Sequence, residues 1–224
     1  MTKPYQVFVG CPFLQGIRKN YDKLKKEVEE ETPLHVVLAD TAAVSSTDYL
    51  LEHISTLIRE SATCVFDVTG GNPNVSLEVG IAHALPSDFL ITLNTRKPRV
   101  QQNAQRALQE EGETRPIISD RQGRNRIEYK TFKALKEGLS RRHLSHLPYM
   151  RRWYDFKRRH SSFAEHALKI FHEVRASGRT VRPRVVSMLD GTGIGADDLL
   201  AALSQAKLIT VKRGRQGGIY YPST

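Results

Sequence analysis

The sequence predicts an α/β fold, a parallel sheet with flanking helices, followed by a small second domain of helices and a β-hairpin. Short β-rich runs alternate with longer segments of helical periodicity through the first 140 of the 224 residues. Strands separated by helices of that length are typical of parallel βαβ units. The formal net charge of +10 also divides the chain, because all of it falls in residues 141–224.

The front part, residues 1–140, supplies the strands and helices of the predicted sheet. We predict strands over residues 5–9, 35–39, 63–68 and 89–93, a fifth at 116–119, and helices over 17–31, 46–60, 73–85 and 129–139. The polar segment 97–128 is expected to be a partly helical excursion or a mobile flap. Ligands of open parallel sheets bind beyond the carboxyl ends of the strands. Those ends fall at residues 10–13, Asp40, 67–72 and Asn94.

The back part consists of a predicted basic connector, residues 141–160, and a domain over residues 161–224. Helices are predicted over 163–177, 183–189 and 196–206, and strands over 208–211 and 219–221. This order of helices and hairpin is that of a winged helix-turn-helix. Residues 1–140 hold 18 Lys and Arg against 18 Asp and Glu, whereas residues 141–224 hold 16 against 6. The difference favours separate partners for the two parts.

The composition excludes several classes of protein. Hydrophobic residues make up 39% and charged residues 26% of the chain, as in globular proteins. No apolar run approaches the roughly 18 residues of a membrane span, and the N-terminal residues lack the features of a signal peptide. Two cysteines, Cys11 and Cys64, are too few for a disulfide scaffold or a cysteine-based zinc site. We therefore expect a cytoplasmic protein in a reducing compartment.

The segment FDVTGGNPNVSLEVGIAHAL, residues 66–85, carries the clearest functional pattern. Asn72 is a favourable N-cap and Pro73 suits the first helical position, so a helix is predicted to begin there. The preceding turn consists of Thr69, Gly70 and Gly71. The free N–H groups of this helix start are expected to face the strand ends and to favour a phosphate or a carboxylate.

Glu78 is the anomalous residue of this helix, since its neighbours are apolar or small. A helix that is apolar on most sides is buried on most sides, and a buried carboxylate must be paired, desolvated or facing a cavity. Asn74 lies four residues earlier, so both side chains share one face. Such a carboxylate suits the oxocarbenium-like transition state of glycosidic cleavage. The alternative is a carboxylate that reaches the surface or pairs with a buried arginine.

Residues 8–13, FVGCPF, and residues 66–85 together resemble the TIR-like and nucleoside 2-deoxyribosyltransferase-like superfamily. Its signature D-x-T-x-x-N-P-N-V-x-x-E-x-G-x-A-x-A-L is met by Asp67, Thr69, Asn72, Pro73, Asn74, Val75, Glu78, Gly80, Ala82, Ala84 and Leu85. The resemblance covers residues 5–140 and implies a flavodoxin-like parallel sheet. It also implies N-glycosidic chemistry on a nucleoside or on NAD, with Glu78 as the catalytic carboxylate.

The resemblance further implies roles for the residues around Glu78. Asp67, the second catalytic candidate, would hold a ribose hydroxyl or position Glu78. Asn74 and the backbone of residues 70–72 would hold phosphate or ribose, and Phe13 would either stack on the base or pack in the core. The predicted substrate-binding residues are Gly10, Phe13, Thr69, Gly70, Gly71, Asn72, Asn74 and Asp48. NAD is expected as a substrate, and no cofactor is expected.

The basic back part suggests a nucleic-acid partner, because clustered cations beside a helix-turn-helix suit phosphate contacts. The predicted contact residues are Arg151, Arg152, Arg158, Arg159, Arg182, Arg184, Lys212, Arg213 and Arg215. Asp197 and Asp198 begin the helix that would contact bases, where they repel phosphate, so nonspecific DNA or RNA binding is expected. Docking on a partner complex is the alternative. His143 and His146 fit a solvated basic face better than a metal site, so no metal is expected.

These observations lead to one principal hypothesis and two alternatives. The principal hypothesis is an N-glycosidase effector, an NAD+ glycohydrolase that its winged helix docks on nucleic acid or on a partner. The resemblance places such effectors in bacterial antiphage defence, where many relatives act only when oligomerised. A partner complex and a homo-oligomer are both compatible with the sequence, which does not give the assembly state. The alternatives are a non-catalytic nucleotide-sensing DNA-binding regulator and a nucleoside deoxyribosyltransferase or hydrolase.

Overall fold

The computed structural model describes residues 2–39, 47–85, 87–96, 126–214 and 217–222. The strand predicted at 116–119, most of the excursion over 97–128, Asp40 and Arg215 lie outside these residues. For Asp48 and Arg213 only the backbone is described. No helix within the described ranges combines the length and the apolar composition that crossing a membrane requires.

The front part is a five-stranded sheet in which every neighbouring pair is parallel. Its strands are β1 Lys3–Gly10, β2 His35–Leu38, β3 Ser61–Asp67, β4 Phe89–Asn94 and β5 Arg126–Tyr129. The order β2-β1-β3-β4-β5 is that of the flavodoxin-like folds, which confirms the predicted parallel α/β class. The described fifth strand is β5, whose last residue had been expected to begin a helix. Four residues are too few for alternation to show in the sequence alone.

Helices cover both faces of this sheet, as the alternation of strands and helices predicts. They are α1 Gln15–Glu31, α2 Thr47–Glu60, α3 Pro73–Ala84 and α4 Phe132–Arg142. Val7 and Val9 of β1 pack in one hydrophobic layer with α1 and α4. Phe8, between them, packs in a second layer with α2 and α3. The two layers follow from the period-two alternation of a strand buried on both sides.

The back part contains the predicted helices and hairpin, with one short strand added. Its elements are α5 Pro148–Arg159, α6 Ala164–Ser177, β6 Thr180–Val181, α7 Arg182–Leu189, α8 Ala196–Gln205, β7 Ile209–Gly214 and β8 Gly217–Pro222. The three strands form an antiparallel sheet in the order β6-β8-β7. This arrangement has the elements expected of a winged helix, and that assignment stays a prediction.

The segment predicted as a basic connector, residues 141–160, is largely helical and belongs to the core. Helix α5 buries Tyr149, Met150, Trp153 and Phe156, which lie at helical spacing between the arginines. The Trp153 ring is 5.7 Å from that of Phe156 and 6.0 Å from that of Phe171 on α6, measured between centroids. One continuous hydrophobic cluster therefore runs from β1 and α1 through α5 into the back part. Three of the aromatic residues among the arginines, Tyr149, Trp153 and Phe156, therefore serve packing, whereas Tyr154 is exposed.

Candidate active site at the edge of the sheet

The described part of the chain has a cavity of about 410 Å³ beyond the carboxyl ends of β1 and β3. The strand order of the sheet runs in one direction from β1 to β2 and in the other from β1 through β3 to β5. Ligands of open α/β sheets bind where the order changes direction in this way. The lining residues are Cys11, Phe13, Arg18, Ala39, Leu50, Leu51, Ile54, Asn72, Asn74, Val75, Leu77, Glu78 and Ile81. The volume is within the usual range for a small-molecule site.

Glu78 brings a desolvated carboxylate to this cavity. Its residue is 6% exposed, and its Oε2 atom is buried without a hydrogen-bond partner among the described residues. Burial raises the pKa of the Glu78 carboxyl to about 7. The alternatives raised by the sequence do not describe this side chain, because the residue is buried and pairs with no arginine of the described residues. Burial thus disfavours the ionised form of Glu78 relative to its neutral form.

Gly10 gives Glu78 the space that it occupies. A Cβ atom built on Gly10 would lie 1.9 Å from Glu78 Oε2 and 2.9 Å from Cδ1 of Phe66. Any side chain at this position would therefore displace the carboxylate. Gly10 supports the site through this close approach, although it is not among the cavity-lining residues.

The start of α3 does not offer the free N–H groups that the sequence analysis expects. The Asn72 Oδ1 atom accepts hydrogen bonds from the backbone N–H groups of Asn74, at 2.9 Å, and Val75, at 3.3 Å. Pro73 has no N–H, and the N–H of Ser76 donates to the Asn72 carbonyl at 3.1 Å. The expectation of free N–H groups at this helix start is therefore wrong, because Asn72 caps the helix. The binding of a phosphate there stays a prediction.

The turn before α3 shapes the site from outside the cavity. Gly70 and Gly71 adopt positive φ angles of 76° and 63°, which favour glycine. Thr69 Oγ1 accepts a hydrogen bond of 2.8 Å from the backbone N–H of Asn94. None of these three residues is among the described lining residues. These residues instead fix the conformation of the turn.

Asp67 lies in a closed hydrogen-bond network and not at the cavity. The residue is 0% exposed, and its Oδ2 accepts hydrogen bonds from the hydroxyls of Tyr21, at 3.0 Å, and Tyr129, at 2.6 Å. Its Oδ1 accepts from the backbone N–H of Thr69 at 3.0 Å. Burial is the main cause that raises the pKa of both tyrosines above its ordinary value, followed by the nearby Asp67 carboxyl. Asp67 therefore joins α1, β3 and β5 beneath the turn.

Of the remaining predicted substrate-binding residues, the structure brings Phe13, Asn72 and Asn74 to the cavity. Phe13 is 62% exposed, so it does not pack in the core, which the sequence analysis gave as one of its two roles. Only the backbone of Asp48 is described, at the start of α2.

Sequence reasoning missed the apolar wall and the cation of the cavity. Leu50, Leu51 and Ile54 of α2 line one side, and their helical spacing predicts an apolar helix face but not that this face lines a cavity. Arg18 of α1 also lines the cavity, and its Nε donates to Asp22 Oδ1 at 3.0 Å. The spacing of four residues predicts an ion pair between Arg18 and Asp22 on the helix surface. It does not predict that Arg18 lines a cavity.

Several arginines predicted to contact nucleic acid form internal contacts in the structure. Arg182 donates two hydrogen bonds of 2.7 Å to the carboxylate of Asp197. Further partners are Glu173 for Arg184, Asp155 for Arg158, and the Lys207 carbonyl for Arg152. Asp197 therefore has a structural role, since it fixes the start of α7 to that of α8. Arg151 and Arg159 are exposed on α5, and Lys212 is exposed on β7.

The described residues contain no cluster of histidine, cysteine and acidic residues able to hold a metal ion. His143 instead forms a hydrogen bond of 2.6 Å between its Nε2 and Thr63 Oγ1. Burial lowers the pKa of His143. This ring ties the end of α4 to β3.

Known proteins resemble this chain only distantly. No protein-family model and no curated protein matches it. A solved 2-desoxiribosyltransferase from Leishmania mexicana is similar over 63% of this chain and 100% of its own, with 12% identity and a TM-score of 0.43. The Clostridium botulinum CMP N-glycosidase BcmB is similar over 60% of this chain and 98% of its own, with 18% identity and a TM-score of 0.38. Similarity at this level gives no information about the activity of this chain.

The observed strand order and cavity define the class of the front part. It is a flavodoxin-like α/β fold with a desolvated glutamate at its topological switch point.

Proposed function

We propose that the protein cleaves the N-glycosidic bond of a nucleotide or nucleoside and that Glu78 is its catalytic carboxylate. The observation that carries the proposal is a largely buried glutamate, Glu78, among the residues that line a cavity of about 410 Å³. When the bond from C1′ to the base breaks, the base leaves with the electron pair and positive charge develops on the ribosyl ring. A desolvated carboxylate stabilises that charge more strongly than it stabilises the neutral sugar of the ground state.

The chemistry proceeds by one of two balanced routes from this transition state. In the first, a Glu78 oxygen forms a bond to C1′, and water or an acceptor base then displaces the glutamate. In the second, Glu78 stabilises the cation while water attacks C1′ directly and loses its proton to the solvent. Both routes require the ionised carboxylate, which is the minor form well below pH 7 because the pKa is about 7.

NAD+ is the substrate that we favour within this class. Nicotinamide leaves its ribosyl group as a neutral molecule, so its departure needs no proton donor. Most other bases leave as anions unless an acid protonates them. Among the described lining residues Glu78 is the one carboxylic acid, which suits a pyridinium leaving group. The superfamily resemblance of residues 66–85 implies a nucleoside or NAD as the substrate, and it is therefore compatible with this choice.

The proposal extends to a biological role through the same resemblance. The protein would act as an effector in antiphage defence, and its C-terminal domain would dock it on nucleic acid or on a partner. Exposed Arg151 and Arg159 on α5 support a basic contact surface.

The decisive experiment compares base release by the wild type and by the Glu78→Gln variant. NAD+, nucleosides and nucleoside monophosphates are supplied separately, with and without DNA, and free base is measured by chromatography. We expect the variant to lose about 10³-fold in kcat, the scale of a lost electrostatic group in an active site. Glu52→Gln is the matched control, because Glu52 is an exposed glutamate on α2, and it should retain full activity. Equal base release by both variants would overturn the proposal.

A second function, nucleotide sensing without turnover, is favoured by one contact between the two parts. Arg175 of α6 donates hydrogen bonds to the carbonyl of Glu29 in the last turn of α1 and to that of Leu34, directly before β2. Helix α1 also carries Arg18 at the cavity. A ligand that moves α1 would thus reach the basic part. This function predicts tight nucleotide binding without base release and a nucleotide-dependent change in DNA affinity. The Arg175→Ala variant should lose that dependence.

A further inference from the structure

Helix α5 presents a stripe of basic residues with an exposed aromatic ring between them. Arg151, Tyr154 and Arg158 are three and four residues apart, so their side chains share one face of the helix. Trp153 and Phe156 lie on the opposite face, in the hydrophobic core. Tyr154 is 46% exposed, whereas the other three aromatic residues of the helix are at most 1% exposed. Packing in the core therefore accounts for those three residues and not for Tyr154.

The cations around Tyr154 are accessible to a partner. Arg151, Lys157, Arg158 and Arg159 are all exposed. Within the described ranges, the side chains of Arg151, Lys157 and Arg159 form no hydrogen bond or ion pair. These four cations and Tyr154 together are called the Tyr154 face below.

Two acidic residues lie close to the Tyr154 face, and neither reverses its charge. Asp155 is the one acidic residue of α5, and it accepts a 2.9 Å hydrogen bond from Arg158. This bond uses one of the five N–H donors of the Arg158 guanidinium. Glu31 of α1 acts on the Tyr154 hydroxyl, but it forms a 2.7 Å ion pair with Lys136. The face therefore has a net positive charge, which complements an anionic partner.

Helix α8, which would enter the major groove of a duplex in a winged helix, has the opposite charge. Its ten residues include Asp197 and Asp198 and no lysine or arginine. Asp197 also engages the guanidinium of Arg182 through two hydrogen bonds. These carboxylates repel the phosphates of a duplex. The accessible cations of the back part thus lie on α5 and not on the helix that would contact a duplex.

We propose that the Tyr154 face binds single-stranded nucleic acid. A base stacks on an exposed aromatic ring only when its own faces are open, as they are in an unpaired strand, and the neighbouring cations contact the phosphates. From Arg151 to Arg158 the face spans two helical turns, roughly 10 Å, so it contacts a few nucleotides at a time. The inference rests on the docking role in the proposed function, whose partner it names, and not on the chemistry at Glu78.

The test measures fluorescence anisotropy of labelled oligonucleotides of equal length with the full chain. The probes are a thymidine-only DNA strand, a uridine-only RNA strand and a mixed-sequence DNA duplex. We expect the wild type to bind the single strands about tenfold more tightly than the duplex, because the duplex offers no open base to Tyr154. Tighter binding of one type of strand identifies which nucleic acid is the partner, and either result supports the proposal.

Variants separate stacking from charge. Tyr154→Ala should lose about tenfold in affinity for single strands, whereas Tyr154→Phe keeps the ring and should retain the affinity. Arg151→Gln and Arg158→Gln should each lower the slope of log affinity against log salt concentration by about 0.7. Lys169→Gln is the control, because Lys169 is an exposed cation of α6 outside the Tyr154 face.

Equal affinity for the duplex and the single strands, or an unchanged single-strand affinity in Tyr154→Ala, overturns the proposal. Binding of none of the three probes also overturns it and points to a protein partner instead. Base release is measured on the same samples, because strand binding requires no turnover. Strand binding without base release contradicts the proposed cleavage and leaves the Tyr154 face standing, whereas base release without strand binding contradicts only the Tyr154 face.

Discussion

Asp67 and Glu78 are buried carboxylates close to the same edge of one sheet, and their surroundings differ. Asp67 is enclosed by two tyrosine hydroxyls and a backbone N–H, so both of its oxygens have partners. Glu78 belongs to the apolar helix α3, and its carboxylate lies against Gly10 of β1. Its Oε2 has no partner among the described residues. The burial of the two groups is similar, but the hydrogen bonding around them is not.

The difference separates a structural carboxylate from a functional one. A buried polar group that is fully hydrogen-bonded stabilises the fold, whereas a buried group without partners costs stability and is kept where a ligand or a reaction needs it. Substitutions of the two residues should therefore change stability in opposite directions.

The largest expected effect follows the Asp67→Ala substitution. It leaves two buried tyrosine hydroxyls and the Thr69 N–H without their acceptor, so we expect the free energy of unfolding to fall by about 3–4 kcal/mol. Urea denaturation followed by circular dichroism measures the change. Asp67→Asn keeps one acceptor oxygen and should lose less. A change in Asp67→Ala below about 1 kcal/mol would contradict the structural role of the network.

Glu78→Gln should stabilise the protein by about 2–3 kcal/mol at pH 8. The carboxyl pKa is about 7 in the folded protein and 4.5 as its ordinary value. A raised carboxyl pKa means that the folded state binds the proton more tightly, so the contribution of Glu78 to stability is largest below pH 4.5 and is lost as the pH rises through 7.

Glutamine does not ionise, so its advantage over glutamate should be absent below pH 4.5, grow between pH 4.5 and 7 and remain constant above that range. Thermal denaturation of both proteins across this range measures it. A difference that does not depend on pH would show that Glu78 is solvated.

Gly10→Ala tests the close approach that links the strand to Glu78. The added methyl group displaces the carboxylate and presses on Phe66, so we expect a stability loss of about 1–2 kcal/mol from overpacking. A stability loss of this size leaves nearly all of the protein folded. The rate of base release should nevertheless fall strongly, because the carboxylate is displaced. Denaturation and the base-release assay are run on the same sample. Full activity in this variant would place the catalytic group elsewhere.

The smallest expected effect on stability belongs to Phe13→Ala. Phe13 is 62% exposed at the cavity, so the free energy of unfolding should change by less than about 0.5 kcal/mol. If Phe13 stacks on the base, KM should rise while kcat changes little. A loss of stability without a change in KM would instead assign the ring to packing.

Much of the fold was predictable, because local patterns carry it. The helical spacing of Ile17, Tyr21, Leu24 and Val28 predicted α1, and all four side chains are buried. Asn72 and Pro73 predicted the start of α3. The strand β5 was missed, since its short run pairs with β4 through residues that are distant in sequence. The core role of α5 was missed because its arginines dominate the composition.

The site was predictable only in part, for a related reason. An acidic residue in an apolar helix identified Glu78 from the sequence. The partners of Asp67 were not identifiable, because Tyr21 lies 46 residues before it and Tyr129 lies 62 residues after it. Arg18 was likewise inconspicuous among the many cations of α1.

The sequence by itself determined the alternation of strands and helices, the cap of α3, the division of charge and the glutamate that does not fit its helix. These properties depend on near neighbours along the chain, where periodicity and capping act. Only the tertiary structure decided which carboxylate has partners, which glycine makes room for the other and which arginine lines the cavity. Those outcomes depend on contacts between residues far apart in the chain, and they arise only when the strands meet at one edge of the sheet.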